Sequence, residues 1–75
     1  MRRFRDSSGE RWEAVVGRES WGAFFAIFVP VAGTAAIRQI QLQAATWQDA
    51  ENELDTMDDP ALQELLGRST IKSLE

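Results

Sequence analysis

Residues 20–37, SWGAFFAIFVPVAGTAAI, are an uncharged run of 18 residues between Glu19 and Arg38, and the reading of this run decides the class of the chain. Drawn as a helix it would be about 27 Å long, close to the hydrocarbon thickness of a bilayer. Drawn as strands it is one apolar strand and the approach to the next. Pro30 near its middle, Gly22, Gly33 and five weakly hydrophobic alanines oppose a membrane span, as does the chain's mean hydropathy of −0.30. The expectation is a hairpin in a soluble sheet. The alternative is a small membrane-associated subunit with residues 20–37 as a short transmembrane segment, its basic flank on the cytoplasmic side.

Within residues 23–29, Phe24, Ala26 and Phe28 point one way and Phe25, Ile27 and Val29 the other, which suits a central strand. A turn at residues 30–34 returns the chain, and Ala36, Arg38, Ile40, Leu42 and Ala44 then alternate with Ile37, Gln39, Gln41 and Gln43. That two-residue period marks a half-buried strand. Upstream, residues 2–6 and 11–16 read as strands joined by Ser7-Ser8-Gly9-Glu10, with Gly9 supplying the positive φ of a short hairpin loop. Phe4 then neighbours Trp12, and Arg3 meets Glu13 on the opposite face. Residues 17–22 (GRESWG) read as the turn into the third strand.

Downstream, Thr46 is an N-cap for a helix with Trp47, Ala50, Leu54 and Met57 on one stripe, and Asp49 approximates a capping box. A second helix has Asp59 as N-cap and Pro60 at its first position, buries Leu62, Leu65 and Leu66, and stops at Gly67. The expected fold class is α+β: a four-stranded antiparallel β-meander followed by a C-terminal αα-hairpin packed on one sheet face. Trp47, Ala50, Leu54, Leu62, Leu65 and Leu66 would lie against Phe24, Phe28, Ile40 and Leu42. Residues 1–68 form the single small domain and 69–75 a frayed tail, in which Leu74 and Glu75 resemble a cloning scar.

A chain of 75 residues hides only about 60% of the surface its unfolded form exposes, so its core is thin. It has no cysteine or histidine, which excludes disulfides and the usual zinc sites and leaves oligomerisation as the remaining staple. The absence of cysteine and a charged N-terminal stretch without an apolar leader point to the cytoplasm. Charge is divided along the chain. Residues 1–38 carry six arginines against four acids, and residues 39–75 carry Arg68 and Lys72 against eight acids. The division reads either as two faces of opposite sign that attract each other within the fold or as a basic sheet edge and an acidic helical face that meet different partners.

Nucleophilic catalysis needs a hydroxyl or thiol beside a base, and the serines and threonines here sit in turns or near termini. Asp49, Glu51, Glu53 and Asp55 read as helix solvation. Asp55, Asp58 and Asp59 lack the spacing of a calcium loop and read as caps. Arg2, Arg3, Arg5, Arg11 and Arg18 interleave with Phe4 and Trp12, a pattern that could grip a nucleic acid. In an acidic chain they are better explained as protection of a sheet edge. The glycines have no phosphate-cradling spacing. No catalytic, cofactor-binding or metal residue is therefore expected, nor a small-molecule substrate.

The order of elements resembles that of short uncharacterised bacterial proteins with a D-x-x-G-x-x-W hairpin, here Asp6, Gly9 and Trp12. A strand-rich middle and an acidic helix pair such as residues 50–66 (AENELDTMDDPALQELL) follow. The resemblance covers most of the chain and implies a compact α+β domain of unknown function, with no catalytic residue to carry over.

A sheet with both helices on one face leaves the other face bare. Trp21, Phe25, Ile27, Val29, Val31 and Ile37 are the residues expected to form an apolar interface there. The expected function is a non-catalytic protein-protein interaction or assembly module, self-associating as a dimer or meeting another protein.

Overall fold

The apolar heart of the decisive run is extended rather than helical. In the computed structural model, which describes residues 2–32 and 35–72, Phe24–Pro30 form a strand preceded by a turn at Trp21. Among the described residues no helix is long and apolar enough to cross a membrane. Gly33 and Thr34 of the turn expected at 30–34 lie outside the described residues, as do Leu74 and Glu75.

The described elements in chain order are β1 (Arg2–Arg5), β2 (Arg11–Arg18), β3 (Phe24–Pro30), β4 (Arg38–Gln41), α1 (Trp47–Asp55), α2 (Asp59–Arg68) and β5 (Thr70–Ile71). The strands form one sheet in that same order, every neighbouring pair antiparallel. The α+β class, the antiparallel meander and the pair of helices are as the sequence patterning implies.

Because strand side chains alternate, register alone sorts residues between faces. Phe4 pairs with Trp12, Ala14 with Phe28, and Val16 with Ala26, which pairs in turn with Ile40. These residues face the helices. The core joins Phe4, Trp12, Ala14, Phe24, Ala26, Phe28 and Leu42 from the sheet to Ala50, Leu54, Leu62, Leu65 and Leu66 from the helices. Ala14 and Ala26 have no exposed surface, so the centre of the sheet carries methyl groups on which helices can sit closely. Phe4 meets Phe28 edge to face at 5.8 Å.

Four details differ from the sequence expectation. The sheet has five strands among the described residues, not four, because Thr70–Ile71 pair with Gln39 and Arg38 in the stretch expected to fray. Ser69 is buried there, and Arg38 holds it by donating from Nε to the Ser69 Oγ at 2.9 Å. Next, β2 runs on through Gly17 and Arg18, so the turn is confined to Ser20, Trp21 and Gly22. Gly17 stays in the strand because Ile27 lies across it: a β-carbon there would sit 2.3 Å from the Ile27 Cδ1. The N-cap of α2 is Asp58 rather than Asp59, its carboxylate accepting from the Ala61 N–H at 3.0 Å, and the helix continues past Gly67 to Arg68. Finally, α1 packs on β2 and β3 and α2 on β1 and β4, so each helix rests chiefly on the sheet and the pair is only loosely an αα-hairpin. Trp47, expected in the core, is 48% exposed and touches Phe24 only edge-on at 6.1 Å.

Among the described residues the divided charge closes across the fold between β1 and α2. Arg2 on β1 donates to the Met57 carbonyl at 2.7 Å and lies 3.9 Å from the Asp59 carboxylate at the start of α2.

A candidate interaction face

The odd-numbered residues of β1 to β3 point away from the helices, and the register lays them out in rows. One row holds Arg3, Glu13 and Val29; the next Val15, Ile27, Gln39 and Thr70; the next Gly17, Phe25 and Gln41. At the near end Arg5 pairs with Arg11, and the Val31 N–H continues the ladder by donating to the Arg11 carbonyl. The result is an apolar centre of Val15, Phe25, Ile27 and Val29 ringed by Arg3, Glu13, Gln39, Gln41 and Thr70. Arg3 and Glu13 pair across the rim at 3.1 Å.

Among the described residues no helix covers this face, yet its central residues Val15, Phe25, Ile27 and Val29 are half-buried. Ile27 also spreads over the bare backbone of Gly17. Trp21 extends the patch from the β2–β3 loop, packing edge-on against Phe25 at 6.1 Å while remaining 68% exposed. Val31 is 44% exposed at the other end. Ile37 is half-buried two residues ahead of Gln39, and its carbonyl accepts from the Lys72 N–H. Of the six residues expected at the interface, register places Phe25, Ile27 and Val29 on this side, Val31 continues the ladder at one end, Trp21 packs on Phe25 at the other, and Ile37 precedes β4.

Sequence reasoning passed over Val15, Gly17 and Glu19. Their signal is the odd-numbered alternation along β2, which Gly17, read as part of a turn, cuts short.

The two loops that frame β2 share one backbone form. In the first, Asp6 N–H donates to the Glu10 carbonyl and Gly9 N–H to the Asp6 carbonyl. In the second, Glu19 N–H donates to the Ala23 carbonyl and Gly22 N–H to the Glu19 carbonyl. Gly9 and Gly22 have φ of 89° and 93°, the left-handed position of a three-residue hairpin loop.

The carboxylates at the two corresponding positions differ. Asp6 accepts from the Trp12 Nε1–H at 3.0 Å, from the Ser8 hydroxyl and N–H, and from the Glu10 N–H. The Trp12 bond and then the Ser8 bond favour the ionised form most and lower the Asp6 carboxyl from its ordinary 3.8 to about 2. Among the described residues Glu19 takes part in no such network.

A shallow cavity of about 330 Å³ opens beside the Arg5–Arg11 pair, lined by Arg3, Phe4, Arg5, Arg11, Val31, Asp59 and Gln63. Its one acid, Asp59, is directed to Arg2, and Gln63 donates to the Arg5 carbonyl at 2.7 Å. Among the described residues no three acidic side chains converge as a metal site would require.

No protein-family model matches the chain, and no curated protein or solved structure matches it either.

Proposed function

We propose that the chain is a non-catalytic, cytoplasmic assembly module that self-associates through the sheet face opposite its helices. The observation that carries the reading is Trp21, 68% exposed and packed only edge-on against Phe25 at the margin of an uncovered apolar centre. An apolar centre within a polar rim, with an exposed tryptophan and a phenylalanine beside it, is the usual make-up of an interface.

Magnitudes set the strength of the association. A large apolar side chain gains roughly 1.5–3 kcal/mol on full burial, and those at the centre of the face are already partly covered. Val15, Trp21, Phe25, Ile27 and Val29 from two copies would thus contribute on the order of 10 kcal/mol, against an association cost of about 4–15 kcal/mol. At the low end of that cost the surplus is about 6 kcal/mol, which corresponds to a dimer of tens of micromolar affinity.

Sedimentation equilibrium of the wild type from ~20 to ~500 µM should show a weight-average mass that climbs from the 8.4 kDa chain mass towards twice that value. Ile27→Lys should sediment as a folded monomer, because the charge falls at the centre of the face. Glu51→Lys, on α1 in the other layer, should leave association unchanged. A wild type that stays at 8.4 kDa across that range ends the reading.

A further inference from the structure

We infer that the second copy lies across a two-fold axis perpendicular to the strands, through the Val15–Ile27 pair, and that an Arg11–Glu19 ion pair formed twice sets this register. The inference rests on the self-association proposed above and adds to it the arrangement of the two copies.

The first support is an electrostatic mismatch. Register places Arg5 directly opposite Arg11, and like charges at a cross-strand pair are destabilising. Among the described residues the ion pairs are Arg2–Asp59, Arg3–Glu13 and Arg68–Glu64, so neither Arg5 nor Arg11 has a counter-charge. Glu19 follows the far end of β2, where its N–H continues the ladder by donating to the Ala23 carbonyl. Arg18 lies over the Phe24 ring on the helix side at 5.9 Å, so alternation directs Glu19 to the open face, the face that also carries Arg11.

Symmetry connects the two ends. A two-fold axis across the strands at Val15 lays β2 antiparallel over its copy, so each residue beyond Val15 faces the residue equally far before it. Arg11 then faces Glu19 of the second copy, and Glu19 faces its Arg11. Glu13 faces Gly17, which has no side chain to oppose it. On β3, Ile27 meets its own copy and Phe25 meets Val29, which matches apolar to apolar along the whole strand. Trp21, packed on Phe25, is carried to the end bearing Val31 and Arg11.

Packed sheets cross at about 30°, which shifts sites four residues from the axis by roughly 7 Å. The long stems of arginine and glutamate span that offset. An axis parallel to the strands does worse. It would set β2 over β3, Arg11 near Val31 and Glu19 near Ala23, and both charges would stay uncompensated.

The test is a charge reversal read by sedimentation equilibrium at low salt, with circular dichroism confirming the fold of each variant. Arg11→Glu alone and Glu19→Arg alone should each weaken the homodimer at least about tenfold, because each puts like charges together at both ends. An equimolar mixture of the two variants should form a heterodimer of near wild-type affinity, since both pairs are then opposite in sign. Single variants that dimerise normally, or a mixture no tighter than its components, would overturn the register while the wild type still dimerised. A monomeric wild type would instead defeat the underlying reading.

Discussion

The two hairpin loops flanking β2 have the same backbone and opposite fates. In the first, Asp6 gathers bonds from Ser8, Glu10 and Trp12, and Trp12 is only 5% exposed. In the second, the loop acid is Glu19, one methylene longer and outside any such network among the described residues, and Trp21 is 68% exposed. The first loop spends its acid and its tryptophan on the fold. The second leaves its tryptophan exposed and its half-buried acid outside any such network, beside an apolar sheet face.

The sharpest way to break this contrast is to remove each tryptophan. Trp12→Ala should cost about 3–5 kcal/mol in denaturant unfolding, as expected for a buried aromatic. Trp21→Ala, measured on protein dilute enough to be monomeric, should stay within about 0.5 kcal/mol of wild type while weakening self-association. Equal destabilisation by both would mean that Trp21 serves the fold after all.

Next in size come the glycines, which test whether the loops are as alike as their backbones. No neighbour lies within 4 Å of a β-carbon built at Gly9 or Gly22, so substitution meets only the backbone cost of a positive φ. Gly9→Ala and Gly22→Ala should each lose about 1–2 kcal/mol, and by the same amount within error, in thermal or denaturant unfolding. A large inequality would show that one loop is held by something other than its turn.

The smallest effect is the acid dependence of the first loop. The folded pKa of Asp6, about 2, lies below its ordinary 3.8, so its contribution to stability is complete above the ordinary value and lost as pH falls towards 2. Unfolding of dilute protein between pH 4 and pH 2 should therefore lose part of its slope in Asp6→Asn. An unchanged slope would mean that the Trp12 and Ser8 bonds do not hold the carboxylate in solution.

Much of this was legible in the residues. Alternation over residues 23–29 and 36–44 identified both faces of β3 and the return strand, and the helical stripe at Ala50 and Leu54 named the layer above them. Period-two and period-3.6 patterns are local, and burial enforces them. The errors arose where a distant partner outweighed local propensity. Gly17 looks like a turn in isolation and is a strand residue because Ile27 occupies the space of its missing side chain. Thr70 and Ile71 look like a tail and become β5 because the edge of β4 offers free backbone groups and Arg38 anchors Ser69. Asp58 and Asp59 are equally good caps in sequence, and the geometry of the entering chain selects Asp58. The patch residues were visible as the second apolar face of a central strand. The like-charged Arg5–Arg11 pair depends on exact register and was not visible.

The central claim, that the open sheet face meets a second copy of itself, is tested most directly by isotope-filtered NMR on an equal mixture of labelled and unlabelled chains. Phe25 and Val29 are four residues apart on one strand, about 13 Å, too far for magnetisation transfer within a chain. The account predicts intermolecular cross-peaks between the Phe25 ring and Val29 methyls, and between the Ile27 side chains of the two copies. The absence at ~1 mM, where a dimer of tens of micromolar affinity is largely formed, of every intermolecular cross-peak from Val15, Phe25, Ile27 and Val29 would contradict it, whereas cross-peaks in other pairings of these residues would keep the face and overturn only the register.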